Sequence, residues 1–230
     1  TERPYSASKI SGEALVYSYA QCYKLPYLVF RFSNVYGRFD NDLDRMERVI
    51  PLFIRKISQG QPITIYGEDK VLDFTYVDDI VESVKRLVPL PPKPNNPKFD
   101  PKKPNPSISS APYQLFNVGN NSPVALMDFV KYIEKALGKK GKIVFKPMQP
   151  GDVQSTYANV ESLFKYINFK PETNREDGVK AFVDKYLELV NMFGQRQAVL
   201  SLEEKSTVTK DVDSILKGID EEQSVANELA

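Results

Sequence analysis

The chain has 230 residues, 41% hydrophobic and 27% charged, with a net charge of +1. This is the balance of an ordinary globular protein, with no electrostatic case for nucleic acid or an anionic membrane as partner. There is no histidine and one cysteine, Cys22, which excludes histidine catalysis, histidine-ligated metal and an intrachain disulfide, and leaves no credible zinc site. Acid–base work therefore falls to Tyr, Lys, Asp or Glu. No apolar run is long enough to span a bilayer and no secretory signal is visible. The sparse cysteine usage points to a reducing compartment, so a cytoplasmic protein is expected.

Residues 5–23 have helical spacing, ended by Leu25-Pro26. Tyr27 to Phe32 is a short apolar run, expected as a buried, parallel strand. Ser33-Asn34-Val35-Tyr36-Gly37 then reads as a loop at that strand's carboxyl end, where open α/β sheets place ligands. Residues 38–48 are charged. Val49 to Gln59 is an amphipathic helix with Pro51 in its first turn. Pro62 to Gly67 is a strand and turn, and Val71 to Val77 another strand. Asp78 and Asp79 suit the start of a helix that runs to about Leu87. Residues 89–112, rich in Pro and Asn, keep no hydrophobic period and read as an exposed loop. Gln114 to Gly119 is a strand. A helix is expected from Pro123 to Leu137, with Gly138 as its C-cap. A strand over Lys142–Phe145 and helices near 160–167 and 176–190 follow. Residues 194–230 lack aromatics and keep a helical stripe through Val208, Val212, Ile215, Leu216 and Ile219, read as a charged helical tail. Expected boundaries are 1–88, 89–112, 113–193 and 194–230.

The chemistry concentrates near the start, in Pro4-Tyr5-Ser6-Ala7-Ser8-Lys9. Four-residue spacing on a helix puts a phenol and an ammonium on one face. A phenol is a poor base at neutral pH, with an ordinary pKa of about 10, and a neighbouring cation favours the phenolate. Such a pair can take a proton from a sugar hydroxyl while hydride leaves the same carbon. Alone, Tyr-x-x-x-Lys is more often a surface helix pair. Asp78-Asp79 reads as helix-start chemistry, Asn117 and Gly119 as turn chemistry, and Cys22 as a small buried residue.

Seven short stretches occur in one order: Tyr5 to Lys9 with Glu13, Arg31 to Gly37, Val49-Ile50-Pro51, Pro62 to Gly67, Asp73 to Asp79, Phe116 to Gly119, and Pro150 to Val153. In this order they resemble the extended short-chain dehydrogenase/reductases that epimerise, dehydrate or decarboxylate nucleotide sugars. Ser110 to Asp128 and Met148 to Ala158 look most like the branch that epimerises UDP-glucuronate at C4. The resemblance implies an α/β fold: the later part of a Rossmann-like doubly wound parallel sheet with a small α/β substrate-binding lobe. It implies NAD as cofactor, a UDP-sugar as substrate, a homodimer formed through the first helix with residues such as Leu15 and Tyr19, and epimerisation through a 4-keto sugar. By resemblance, Tyr5 is the base and Lys9 holds the nicotinamide ribose. Phe32 and Ser33 meet the nicotinamide end, and Asn34 bonds the sugar-nucleotide diphosphate. Val49, Ile50, Pro51, Ile65, Tyr66 and Gly67 line the uracil pocket, and Asp152 reaches the nucleotide ribose.

Three departures accompany the resemblance. No Gly-x-x-Gly-x-x-Gly turn is present, and the Ser/Thr that assists the Tyr in the family lies upstream of such a pair. Together with Thr1 in first position, this leads to the expectation that the chain is the carboxyl-terminal portion of a longer protein. Leu72 and Gln149 stand where relatives often carry phosphate-clamping Arg. Arg45, Arg48 and Lys70 are the nearby cations that could take over. The runner-up readings are a nucleotide-sugar 4,6-dehydratase or decarboxylase, and a non-catalytic relative that binds a sugar nucleotide or a partner chain.

Overall fold

The computed structural model describes residues 4–40, 48–149 and 152–192. The chain divides into two units, Thr1–Asp184 and Lys185–Ala230; the architecture below is that of the first. The tail stripe from Val208 to Ile219 and the cation Arg45 lie outside the described residues.

In chain order the elements are α1 (Pro4–Tyr23), β1 (Tyr27–Phe32), β2 (Asn34–Tyr36), α2 (Val49–Ser58), β3 (Pro62–Tyr66), β4 (Val71–Leu72), β5 (Phe74–Tyr76), α3 (Val77–Leu87), β6 (Tyr113–Val118), β7 (Val124–Ala125), α4 (Leu126–Leu137), β8 (Lys142–Lys146) and α5 (Glu161–Ile167). A last helix, α6, covers 175–192. Three strand pairs are parallel, β1 with β6, β2 with β5 and β3 with β8; β4 and β7 pair antiparallel. Mixed α/β architecture with parallel pairing is therefore as the sequence leads one to expect.

Alternation along β1 and β6 shows why both faces are covered. Successive strand residues point to opposite sides. Tyr27 and Val29 of β1, with Tyr113 and Leu115 of β6, pack against Val16, Tyr17 and Ala20 of α1. Leu28 and Phe30, with Phe116 and Val118, pack against Ile80 and Leu87 of α3 and Leu163 and Ile167 of α5. Helices lie on both faces, the arrangement of a doubly wound sheet. Each large apolar side chain removed from water here contributes about 1.5–3 kcal/mol. The lobe carrying β3 has its own interior, built from Ile50, Phe53, Ile54 and Ile57 of α2, Ile63 and Ile65 of β3, and Phe129, Val130 and Ile133 of α4.

Four local expectations change. The stretch after Ser33 is not simply a loop, because Asn34 to Tyr36 forms β2 in register with β5. The strand expected over 71–77 breaks at Asp73, which turns its side chain inward between β4 and β5. The helix expected at Pro123 starts at Leu126, because Val124 and Ala125 are first used to pair with β4. Cys22 is exposed rather than buried; it lies in the last turn of α1, whose only fully buried side chain is Ala20.

Tyr36 sits in an aromatic nest with Phe74, Tyr76 and Phe129, and burial pushes its phenol well above the ordinary value. The unfolded phenol ionises near pH 10, whereas the folded one holds its proton to higher pH. Above pH 10 the folded state thus binds more protons, so stability falls as pH rises through that window. Denaturant titrations between pH 8 and pH 11 are expected to show this loss, and Tyr36→Phe is expected to flatten it. An equal slope in the variant would assign the loss to other groups, Tyr76 and Tyr113 first, whose phenols burial also raises.

Candidate active site

Tyr5 and Lys9 project from the first turns of α1, as their spacing requires. The Lys9 Nζ lies 5.1 Å from the centroid of the Tyr5 ring. Both side chains are open to solvent, Tyr5 being 62% exposed. Farther along the same helix Glu13 grips Arg31 of β1 in a two-pronged pair, with Nε to Oε1 at 2.7 Å and Nη2 to Oε2 at 2.6 Å. That pairing raises the guanidinium pKa above its ordinary value, and it ties the helix carrying Tyr5 and Lys9 to the strand leading into Phe32.

At the carboxyl end of β1 the chain reaches Phe32, half exposed, then Ser33 and Asn34. These two are held by one backbone group. The Ser33 hydroxyl donates to the Asp73 carbonyl at 2.8 Å, and the Asn34 amide donates to the same oxygen at 3.2 Å. Asn34 also donates to Thr156 Oγ1 at 3.1 Å, an atom that accepts the Asp73 N–H at 3.0 Å. The Asp73 side chain is fully buried, and its carboxylate accepts the backbone N–H groups of Asn121 at 3.1 Å and Ser122 at 3.3 Å. Asp73 is therefore the post between the end of β1, the turn after β6 and the 156–158 segment. Gly119 completes the fit: a Cβ there would stand 2.8 Å from Ser33 Cβ and 3.3 Å from Asp73 Oδ2.

Arg31, Phe32, Ser33, Asn34, Asn117, Thr156, Tyr157 and Ala158 line an open depression of about 280 Å³ at this strand end. Five of its members, Arg31, Asn117, Thr156, Tyr157 and Ala158, were not named as site residues from the sequence. Asn117 lies in β6 rather than in a turn and donates to the Asn159 carbonyl at 3.0 Å. Thr156 and Tyr157 are distant in sequence; they lay in the stretch from Met148 to Ala158 that carried the resemblance, but without an assigned role. Asp73 was visible as the first residue of the Asp73 to Asp79 motif, without an assigned role.

The other proposed contacts lie elsewhere in the unit. Ile50, Pro51 and Ile65 are buried in the lobe interior, so their side chains back the wall rather than face a ligand. Val49, Tyr66 and Gly67 are partly exposed. Lys70 contacts Asp152 in an ion pair, and its ammonium stem passes near Gly67. Of the candidate phosphate-clamping cations, Arg48 pairs with Asp40 at 2.7 Å. Asp78 pairs with Arg38, while Asp79 receives the N–H groups of Glu172 and Thr173 at 3.4 Å. Among the described residues no cluster of acids and cysteine could hold a metal ion, and no helix is long and apolar enough to cross a membrane.

A Tyr-Lys pair on the helix before a parallel strand, with Ser-Asn at that strand's end, is the arrangement implied by the seven motifs. Residues 1–97 match the NAD dependent epimerase/dehydratase family. The matched segment ends beyond α3, and similarity to individual proteins extends farther. Protein CapI of Staphylococcus aureus is 46% identical over 185 residues, covering 80% of this chain and 54% of that protein. A probable UDP-glucuronate 4-epimerase of Rhizobium meliloti is 41% identical over 184 residues, covering 79% and 52%. The chain spans about half the length of the curated relatives it matches. The fold is similar to part of that of the UDP-glucuronic acid 4-epimerase of Bacillus cereus, solved with UDP-glucuronic acid and NAD. The TM-score is 0.65 at 23% identity, over 81% of this chain and 53% of that one.

Proposed function

We propose that this chain supplies the proton-transfer pair and sugar-nucleotide side of an NAD-dependent enzyme that epimerises a UDP-sugar of the glucuronate type at C4. The observation that carries the reading is the exposed Tyr5–Lys9 pair on α1, tied through Glu13 and Arg31 to the strand that ends in Phe32, Ser33 and Asn34.

The residues present suit one end of the cofactor. The half-exposed Phe32 ring offers an apolar face for a nicotinamide, and the open Lys9 ammonium offers donors for its ribose. NAD, when bound, would accept hydride from the sugar carbon and return it. No Gly-rich phosphate turn exists in these 230 residues, so on this reading the cradle for the cofactor diphosphate comes from a segment outside them, as does the Ser/Thr partner of Tyr5.

The chain's own residues then act by position and proton transfer. Tyr5 Oη takes the proton from the sugar hydroxyl and later gives it back. Lys9 stands beside that phenol, its Nζ 5.1 Å from the ring centroid. Asn34, whose amide donates to Asp73 and Thr156, would turn one of these N–H groups to the diphosphate when the substrate binds. Asp152, partly exposed and paired with Lys70, stands ready for ribose hydroxyls. The test is chemical: the chain joined to a Gly-rich dinucleotide-binding segment, given UDP-glucuronate and NAD, should form the C4 epimer. Release of a 4-keto-6-deoxy or decarboxylated sugar instead would favour the runner-up reaction.

The reading includes a homodimer through α1. Leu15 is 60% exposed and Tyr19 and Tyr23 share its side of the helix, with rings 5.2 Å apart. Sedimentation is expected to give a dimer that Leu15→Glu with Tyr19→Glu converts to monomer. A monomer before substitution would remove the dimer from the account.

A further inference from the structure

The proposed reaction leaves the Pro-rich connection between α3 and β6 without a task. Its first part, Pro89-Leu90-Pro91-Pro92-Lys93-Pro94, lies on the surface. Leu90, Pro91, Lys93 and Pro94 are exposed and Pro92 is half-buried. Leu90, Pro91 and Lys93 each precede a proline, which pushes them into extended backbone, and the proline rings fix their own φ near −65°. Together these constraints give a polyproline II ridge, with about three residues per turn. Pro91 and Pro94 then fall on one edge, Leu90 and Lys93 on a second, and Pro92 turns toward the body.

Both ends of the ridge are pinned. The Leu90 N–H donates to the Leu87 carbonyl at 2.9 Å, at the end of α3. Asn95 takes a left-handed φ of 57°, which stops the ridge, and its N–H donates to the Ser110 carbonyl at 2.8 Å. The ridge is thus held in shape before any partner arrives, which lowers the ordering cost of binding. Its surroundings are basic: Lys93, Lys98, Lys102 and Lys103 form no ion pair among the described residues, and Asp100 is the acid among them.

We infer that Leu90–Pro94 is a docking ridge for a protein module of the SH3 type, whose groove is lined by aromatic side chains and rimmed by acids. Proline spacing fills such a groove edge by edge, and the lysines supply the complementary charge. The inference is independent of the catalytic reading, because no residue of the ridge belongs to the site.

The full 230-residue chain, isotopically labelled, would be titrated with acidic-rimmed SH3 domains and, for comparison, with a WW domain. Saturable NMR shifts confined to residues near 88–98 are expected with the SH3 domains. Pro91→Ala with Pro94→Ala should weaken binding about tenfold or more, a loss of at least about 1.4 kcal/mol. Lys93→Glu keeps every proline and should also weaken it, most at low salt. The inference is overturned by absence of shifts at the ridge, by affinity unchanged in these variants, or by capture of the ridge by the WW domain alone.

Discussion

On the proposed function, replacing Tyr5 by Phe in the chain joined to a dinucleotide-binding segment is expected to lower kcat about 100- to 10,000-fold, the usual contribution of a positioned proton-transfer group. The ring, its place on α1 and its contact with Lys9 survive the change; only the hydroxyl is lost. KM for the sugar nucleotide should therefore move little, because Asn34, Asp152 and the lobe residues are untouched. That split separates a chemical role from a structural one. Thermal stability gives the control: Tyr5 is 62% exposed, so its hydroxyl is worth little to folding and Tm should stay constant. A variant with intact kcat would remove Tyr5 from the chemistry.

The second large effect is structural and reaches the site indirectly. Asp73→Asn is expected to destabilise the protein by about 3 kcal/mol. The carboxylate accepts two backbone N–H groups in a bay closed to water. A carboxamide can accept one of them and must turn its own N–H₂ toward the other, leaving buried donors poorly met. For a chain of this length that corresponds to a fall in Tm of about 6–12 °C. Asp128→Asn, at an exposed acid on α4, should stay within about 0.5 kcal/mol and serves as the comparison. Because the Asp73 backbone also orients Ser33 and Asn34, the variant should raise KM for the sugar nucleotide more than it lowers kcat. Equal stability of the two variants would show that Asp73 is not the post described above.

These two residues mark what could and could not be read from the chain. Tyr5 and Lys9 were legible because helix periodicity is local: four residues apart means one face. The strand at Tyr27–Phe32 was legible for a similar reason, since an unbroken apolar run bounded by polar residues suits a strand covered on both faces. Asp73 was not legible as the post, because its partners lie 39 or more positions away and its burial depends on tertiary packing. The same holds for Thr156, which joins Asn34 and Asp73 only after the chain has passed through β6, α4 and β8. Helix starts were misjudged where a short strand took the first residues. Pro123 is a fair helix opener, but Val124 and Ala125 gain more by pairing with β4. Cys22 was misjudged because residue type was weighed without the helix face it occupies.

The glucuronate reading itself meets its most direct test in heavy water. The complete enzyme, with NAD, would be incubated with UDP-glucuronate in D₂O and C4 followed by NMR. If hydride leaves C4 and returns to the same carbon, the product carries its original hydrogen there, and deuterium stays at the exchangeable hydroxyls. This is the result the account predicts, with Tyr5→Phe slowing the conversion about 100-fold or more. Deuterium at C4 of the product, or conversion at an undiminished rate in Tyr5→Phe, would contradict it.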